Sequence, residues 1–356
     1  MLSQAWAADR AGLDTLTLGD HHSTSPAGYV QNVPMLGRIL AEWTARPIGC
    51  LFLVPLWHPV LLAELIGTLA AMSSGPFIVQ TGLGGGEGQF QAMGADLGQR
   101  ATRLEEGILV AQALLQGETV DSGLFAMEGA RIAPLPPEGT EWWIGGGVPK
   151  AIDRAARLGD CWYGNADLTP ETAARDIEIY REACARHGRQ LMRIPIRKDA
   201  FIAESRVEAE MVGDALVAGG YRGFDRKAVA YGDPESVADQ LSVFGDLGFT
   251  DIIIRTMSPL PPEIGPEGAL PISRAGWRGA RPPCLTRTLI PAQRPSDEGP
   301  APRTAFPAGH PPAVPTGADR SGADSGQWSP SAAQVEIARS RPLRAKLSSL
   351  DLSLRS

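Results

Sequence analysis

Short apolar runs alternate with stretches of helical periodicity from the first residues to about residue 257, which is the rhythm of βα units laid around a parallel sheet. Seven runs read as strands: Thr15–Gly19, Ile48–Val54, Phe77–Gly82, Trp142–Gly145, Cys161–Gly164, Arg193–Ala203 and Asp251–Thr256. Several are apolar at every position, as expected of strands covered on both faces. Between them lie helical segments with clear stops. Leu2–Ala11, Gln99–Gln116, Pro170–His187 and Pro234–Leu247 each end just before a glycine. Asp233 ahead of Pro234 places an N-cap side chain before a first-turn proline, and a further helix is expected from Pro149 to Leu158. Residues 117–141 are too long for a plain connection and read as a hairpin-bearing excursion that covers something.

At Arg274 the pattern stops. Residues 274–356 are rich in Pro, Gly, Ala, Ser and Arg and are expected to be disordered, with at most a frayed helix over 331–352 that Pro342 interrupts. Charge divides at the same point. The tail holds 12 Lys and Arg against 6 Asp and Glu, whereas residues 1–273 hold 21 against 34. Two regions follow: a folded domain over 1–273 and a basic tail over 274–356. An acidic body gives no reason to expect nucleic acid as partner.

Other classes fall away on motif grounds. Cys50, Cys161, Cys184 and Cys284 form no C-x-x-C pair, and no histidine stands at metal-ligand spacing, so no metal site is expected. The N-terminus lacks the pattern of a secretory signal, and His58, Pro59 and Glu64 interrupt the most apolar stretch, residues 55–72. The expected location is the cytoplasm, without a membrane partner. No nucleophile elbow, zinc-protease motif or P-loop is present, which removes the usual hydrolase and NTPase readings.

In a parallel βα barrel, chemistry gathers at the C-terminal ends of the strands, and three of those ends are unusual here. Gly19-Asp20-His21-His22 follows the first run. An imidazole there can exchange a proton near neutral pH, with a carboxylate beside it; alternatively Asp20 caps a loop and one histidine packs. The two rings point in opposite directions on an extended segment. Thr81-Gly82-Leu83-Gly84-Gly85-Gly86-Glu87 follows the third run; its glycines let a flat ligand approach the backbone, or merely supply turns. It is no dinucleotide fingerprint, because Glu87 occupies the last glycine position. Gly145-Gly146-Gly147 precedes the helix at Pro149, where exposed backbone N–H groups form a phosphate cradle, and Gly164-Asn165 at the next strand end supplies further donors; tight turns are the plain alternative. Trp57 and His58 either edge the pocket or pack, and Lys150 beside the cradle reads as a solvated first-turn lysine.

Four blocks carry a resemblance: AADRAGLDTLTLGDHH, the stretch from RPIGCLFLVPLWHP to RATRLEEGI, EWWIGGGVPKAIDRAARLGDCWYGN, and YGDPESVADQLSVFGDLGFTDIIIRT. In this order they resemble the luciferase-like monooxygenase family over roughly residues 1–257. The resemblance implies a (β/α)8 TIM-type barrel lacking the first strand and the last helix, which leaves two unpaired edges. It implies a flavin-dependent oxidoreductase or monooxygenase acting on a small organic molecule with reduced FMN. The deazaflavin coenzyme F420 is the alternative; the apolar run at Leu51 to Val54 leans to FMN. Asp20 and His21 match the family's Asp-His pair near the reactive ring edge, with His22 beside them. Leu51 and Phe52 fall at a bulge or cis peptide behind the ring, Gly82 and Gly84 beside it, and Gly146, Gly147, Gly164 and Asn165 at the cofactor phosphate. A homodimer is implied as well. Two further readings stand beside this one: an inactive barrel fragment, and a non-flavin barrel enzyme that binds a phosphorylated small molecule at Gly145 to Gly147.

Overall fold

A computed structural model describes residues 2–25, 28–43, 47–191 and 193–257, and the backbone of 335–338. All belong to one compact unit, residues 1–266 with 328–356. The elements run α1 (Leu2–Arg10), β1 (Thr15–Leu18), α2 (Asn32–Leu40), β2 (Ile48–Phe52), α3 (Pro59–Met72), β3 (Phe77–Thr81), α4 (Glu87–Ala92) and α5 (Arg100–Leu115). A small antiparallel pair, β4 (Val120–Ser122) and β5 (Met127–Ala130), forms the excursion expected over 117–141. Then follow β6 (Thr140–Gly145), α6 (Pro149–Leu158), β7 (Cys161–Tyr163), α7 (Pro170–Arg186), β8 (Pro195–Ile202), α8 (Arg206–Ala218), β9 (Val229–Gly232), α9 (Pro234–Leu247), β10 (Asp251–Thr256) and β11 (Val335–Ala338).

Nine strands form one sheet in the order β7-β6-β3-β2-β1-β11-β10-β8-β9. Every pairing is parallel except those of β11, which runs antiparallel to β1 on one side and β10 on the other. The sheet curls, since β7 at one end meets β8 near the other through a single parallel bridge between Gly164 and Ile196. It does not close by a continuous ladder. Two expectations are corrected here. Val335–Ala338, placed by the sequence in a disordered tail or a frayed helix, is a strand; and it pairs with β1 and β10, where unpaired edges were expected. The disorder expected for the rest of 274–356, and the replacement of a final helix after Thr256, lie outside the described residues.

Alternation along the strands sorts side chains to two layers. Leu16, Leu18, Ile48, Cys50, Phe52 and Val79 point outward into a core shared with Leu62 and Ile66 of α3 and with Leu104 and Ile108 of α5. A second cluster, Ile78, Trp143, Cys161, Tyr163 and Ile253, fills the inside of the curl. Helix starts follow the sequence signals. Thr169 and Thr172 form a reciprocal capping box before Pro170, Asp233 accepts from the Ser236 N–H, and α9 ends on Gly248 in the left-handed region (φ 110°). These stops fix where each strand emerges, and all the unusual strand ends lie on one rim.

Candidate active site

At the end of β1 the backbone turns into Asp20, His21 and His22. The Asp20 side chain is buried, and its Oδ2 accepts from the Leu53 N–H at 2.8 Å and the Trp57 indole N–H at 2.8 Å. Its Oδ1 lies 3.1 Å from His22 Nε2, an ion-pair distance without hydrogen-bond geometry. The His22 ring is buried edge-on against Trp57, and the His22 backbone N–H donates to Gln89 Oε1 at 2.9 Å. Asp20 and His22 therefore tie the rim loops after β1, β2 and β3 together. His21 turns the other way, half-buried and edge-on to Tyr29. Burial first, then His22 and Arg222, lower its pKa below 6.5 against the opposing pull of Asp20. The His21 ring is consequently neutral at pH 7 and suited to take a proton. Tyr29 brings a phenol to the same rim: its hydroxyl lies 2.5 Å from where a Cβ on Gly19 would stand, so glycine there makes the room.

Of the next pair, only Leu51 reaches the rim. Phe52 was expected to bind cofactor, but alternation sends it outward, where it is fully buried and edge-on to Trp57. The peptides there are trans, the one cis bond among the described residues being Ala133–Pro134; irregularity enters only at Leu53 (φ -79°, ψ 73°). Asn32 holds the strand end by donating to the Leu51 carbonyl at 2.7 Å. Gly82 faces Leu53 and Leu51, whose carbons lie 2.9 and 3.6 Å from its missing Cβ. Gly84 adopts φ 68°, which lets the loop fold back over Phe90.

The ends of β6 and β7 come together. A Cβ on Gly147 would lie 2.7 Å from Asn165 Nδ2, so the triple-glycine turn and the Asn165 turn abut. Gly146 is required by its close approach to Ala151, and its carbonyl accepts from the Trp162 indole at 2.8 Å. Gly145 lies partly exposed at the end of its ladder. The first turn of α6 is less open than expected, because the Ala151 and Ile152 N–H groups both bond to the Val148 carbonyl. Gly164 is likewise engaged, donating to the Pro195 carbonyl and accepting from the Arg197 N–H. Its glycine is a packing need, since a Cβ would press on Ile196 and Phe249 at 3.1 Å.

Beside Gly164 and Asn165 opens a cavity of about 220 Å³, walled also by Tyr163, Asp167, Arg197 and Arg222. Around it stands a charged cluster that the sequence did not reveal. Arg197 and Asp199 alternate with Lys198 on β8, and Arg255 of β10 is the register partner of Asp199. Arg197 Nε lies 3.3 Å from Asp199 Oδ1, Tyr221 donates to Asp199 Oδ2 at 2.9 Å, and Arg222 Nε stands 3.9 Å from the same oxygen. Burial alone would raise Asp199, but the guanidiniums of Arg197, Arg255 and Arg222 with the Tyr221 hydroxyl hold it below the usual carboxylate range. Arg222 sits at φ 51°, a strained conformation for a side chain with a Cβ. Three residues weighed from the sequence pack or face away: Trp57 serves Asp20, His58 lies edge-on to Phe125, and Lys150 is exposed. Among the described residues no helix is long and apolar enough to cross a membrane.

A curled, mostly parallel sheet with polar, glycine-lined strand ends on one rim is the arrangement of the βα folds whose ligand sites lie at the mouth of the sheet. The profile of the luciferase-like monooxygenase family matches residues 1–227, and the chain belongs to that family. Among curated relatives it is 27% identical over 186 residues to the F420-dependent glucose-6-phosphate dehydrogenase of Microbacterium testaceum (strain StLB037), covering 49% of this chain and 53% of that one. It is 26% identical over 196 residues to the FMNH(2)-dependent dimethylsulfone monooxygenase of Pseudomonas fluorescens (strain Pf0-1), covering 53% and 52%. The chain thus spans about half the length of these relatives. The solved structure of monooxygenase RslO1 from Streptomyces bottropensis superposes with a TM-score of 0.61 at 21% identity, over 72% of this chain and 86% of that one.

Proposed function

We propose that the rim binds a flavin and that the chain is a flavin-dependent oxidoreductase acting on a small organic molecule. FMN is the first candidate and coenzyme F420 the alternative. The abutment of Gly147 on Asn165 supports the reading: the glycine turn after β6 meets the Asn165 side-chain amide from the end of β7, so that backbone N–H groups and an amide N–H gather at one spot. In this reading the curled sheet is the family's barrel, with β11 between β1 and β10, and residues 1–273 supply the site. Gly145, Gly146, Gly147 and Asn165 form the phosphate seat, with Gly164 as its packed floor. Leu51, Leu53, Gly82 and Gly84 make the apolar wall for a flat ring system.

A bound flavin or deazaflavin supplies hydride or oxygen chemistry. The protein positions the substrate, excludes water through Leu51 and Leu53, and exchanges a proton at the His21 ring, which Asp20 and His22 support from beneath. Flavin fluorescence measured during titration of the full chain with FMN tests this directly, with F420 titrated in parallel. Saturable binding is expected, together with its loss in Gly147→Val. His21→Ala is expected to keep the binding and to slow oxidation of the reduced cofactor. Absence of saturable binding with both cofactors would refute the reading.

A further inference from the structure

The guanidinium cluster exceeds what a turn-lined phosphate seat needs. It comes from three separate segments, with Arg197 on β8, Arg222 in the turn before β9 and Arg255 on β10, and Asp199 stands among them. Arg197 and Arg222 reach the wall of the 220 Å³ cavity. The Arg222 Nε is buried and makes no hydrogen bond, its nearest anionic oxygen being 3.9 Å away. Its guanidinium is pinned against the Phe224 ring, 5.2 Å from the centroid, in the turn that holds Arg222 at positive φ. Desolvation of that group, together with repulsion from Arg255 and Arg197, lowers Arg222 to about 10. A further anion would relieve this. The Asp167 carboxylate on the cavity wall and Asp199 behind it offset two of the three guanidinium charges, leaving one positive charge in excess. The Arg222 charge also contributes, after burial and His22, to lowering the His21 pKa.

We infer that this cavity receives an oxyanion carried by the substrate, a carboxylate, sulfonate or phosphate, which Arg222 and Arg197 bind while the reacting carbon faces His21. The inference rests on the flavin reading and names its substrate class. A planar fork of N–H donors suits a two-oxygen anion face, and the Arg222 guanidinium is partly buried with its Nε unbonded.

Inorganic sulfate serves as the probe, titrated calorimetrically into the full chain saturated with FMN, so that the glycine-turn seat is already taken. Wild type is expected to bind one sulfate saturably, and Arg222→Met to weaken that binding about tenfold or more, equivalent to ~1.4 kcal/mol. Arg197→Lys provides a second variant in case Arg222→Met does not fold, which circular dichroism reports. In both variants FMN and riboflavin are expected to bind as in wild type. Unchanged sulfate affinity in the folded variants overturns the inference. So does a loss of FMN affinity with riboflavin affinity retained, because the cavity would then hold the cofactor's own phosphate. Failure of wild type to bind any flavin strikes the underlying cofactor reading instead and is read from a separate titration.

Discussion

Asp20→Ala is the substitution whose outcome the rim geometry defines most sharply. A single oxygen, Asp20 Oδ2, accepts from the Leu53 N–H and the Trp57 indole. Alanine leaves both donors without that acceptor, one fully buried and one partly so. An orphaned buried donor costs about 1–3 kcal/mol, so the pair together should cost about 3 kcal/mol. For a domain of this size that corresponds to roughly 6–12 °C in Tm, at about 2–4 °C per kcal/mol. Asp20→Asn should behave differently, because its amide oxygen can take the place of Oδ2 and its NH2 then faces the His22 ring nitrogen, now 3.1 Å from Oδ1. A loss of about 1 kcal/mol or less is expected, the range of one altered hydrogen bond. Urea unfolding followed by tryptophan fluorescence and circular dichroism, with equal m-values across the three proteins, measures both differences. Wild-type stability in Asp20→Ala, or equal damage in the two variants, would show that the acceptor geometry is not what holds the rim.

Three further outcomes are expected. Burial lowers Lys198 to about 7, so between pH 7 and 10.5 the unfolded chain holds a proton that the folded chain lacks. Stability therefore rises with pH across that window, by about 3 kcal/mol from pH 7 to 9.5. Lys198→Met should flatten the rise in urea titrations at those two pH values, and an unchanged slope would contradict the assignment. Because the His21 pKa is depressed and its neutral ring is the form that takes a proton, cofactor turnover in the direction that needs a proton acceptor there should increase with pH through a midpoint below 6.5. His21→Ala should lose that limb, whereas a midpoint above 6.5 would reverse the predicted protonation state. Gly49→Ala sets a Cβ against the Ile78 backbone on the inner face of the sheet and should destabilise by about 3 kcal/mol in thermal melts; a neutral effect would mean that the strands can part there.

Seven strands and the main helices were legible because their signals are local: apolar runs bounded by Gly and Pro, with Asp233 and Gly248 marking the two ends of one helix. β9 was missed because the four residues VAYG are too short to stand out, and β11 because its neighbours in sequence lack periodicity. At the rim, His21 and the Gly147–Asn165 pair were readable from strand-end position alone. The Arg197, Arg222 and Arg255 cluster was not, since three arginines in three segments look like ordinary surface charge until the sheet brings them together. Gln89, Asn32 and Tyr29 escaped for the same reason: each acts across the fold on a backbone group or a glycine far away in the sequence. Leu51 and Phe52 were placed at a bulge or cis peptide behind the ring; the peptides there are trans, and the Phe52 side chain lies in the core.

β11 also gives the chain a timetable. β1 and β10 are joined only through residues 335–338 among the described strands, so the sheet stays unsealed along that line until the ribosome has added roughly 80 residues beyond β10, some 4 to 16 s of synthesis at ordinary rates. Throughout that interval two strand borders are open to any extended peptide nearby.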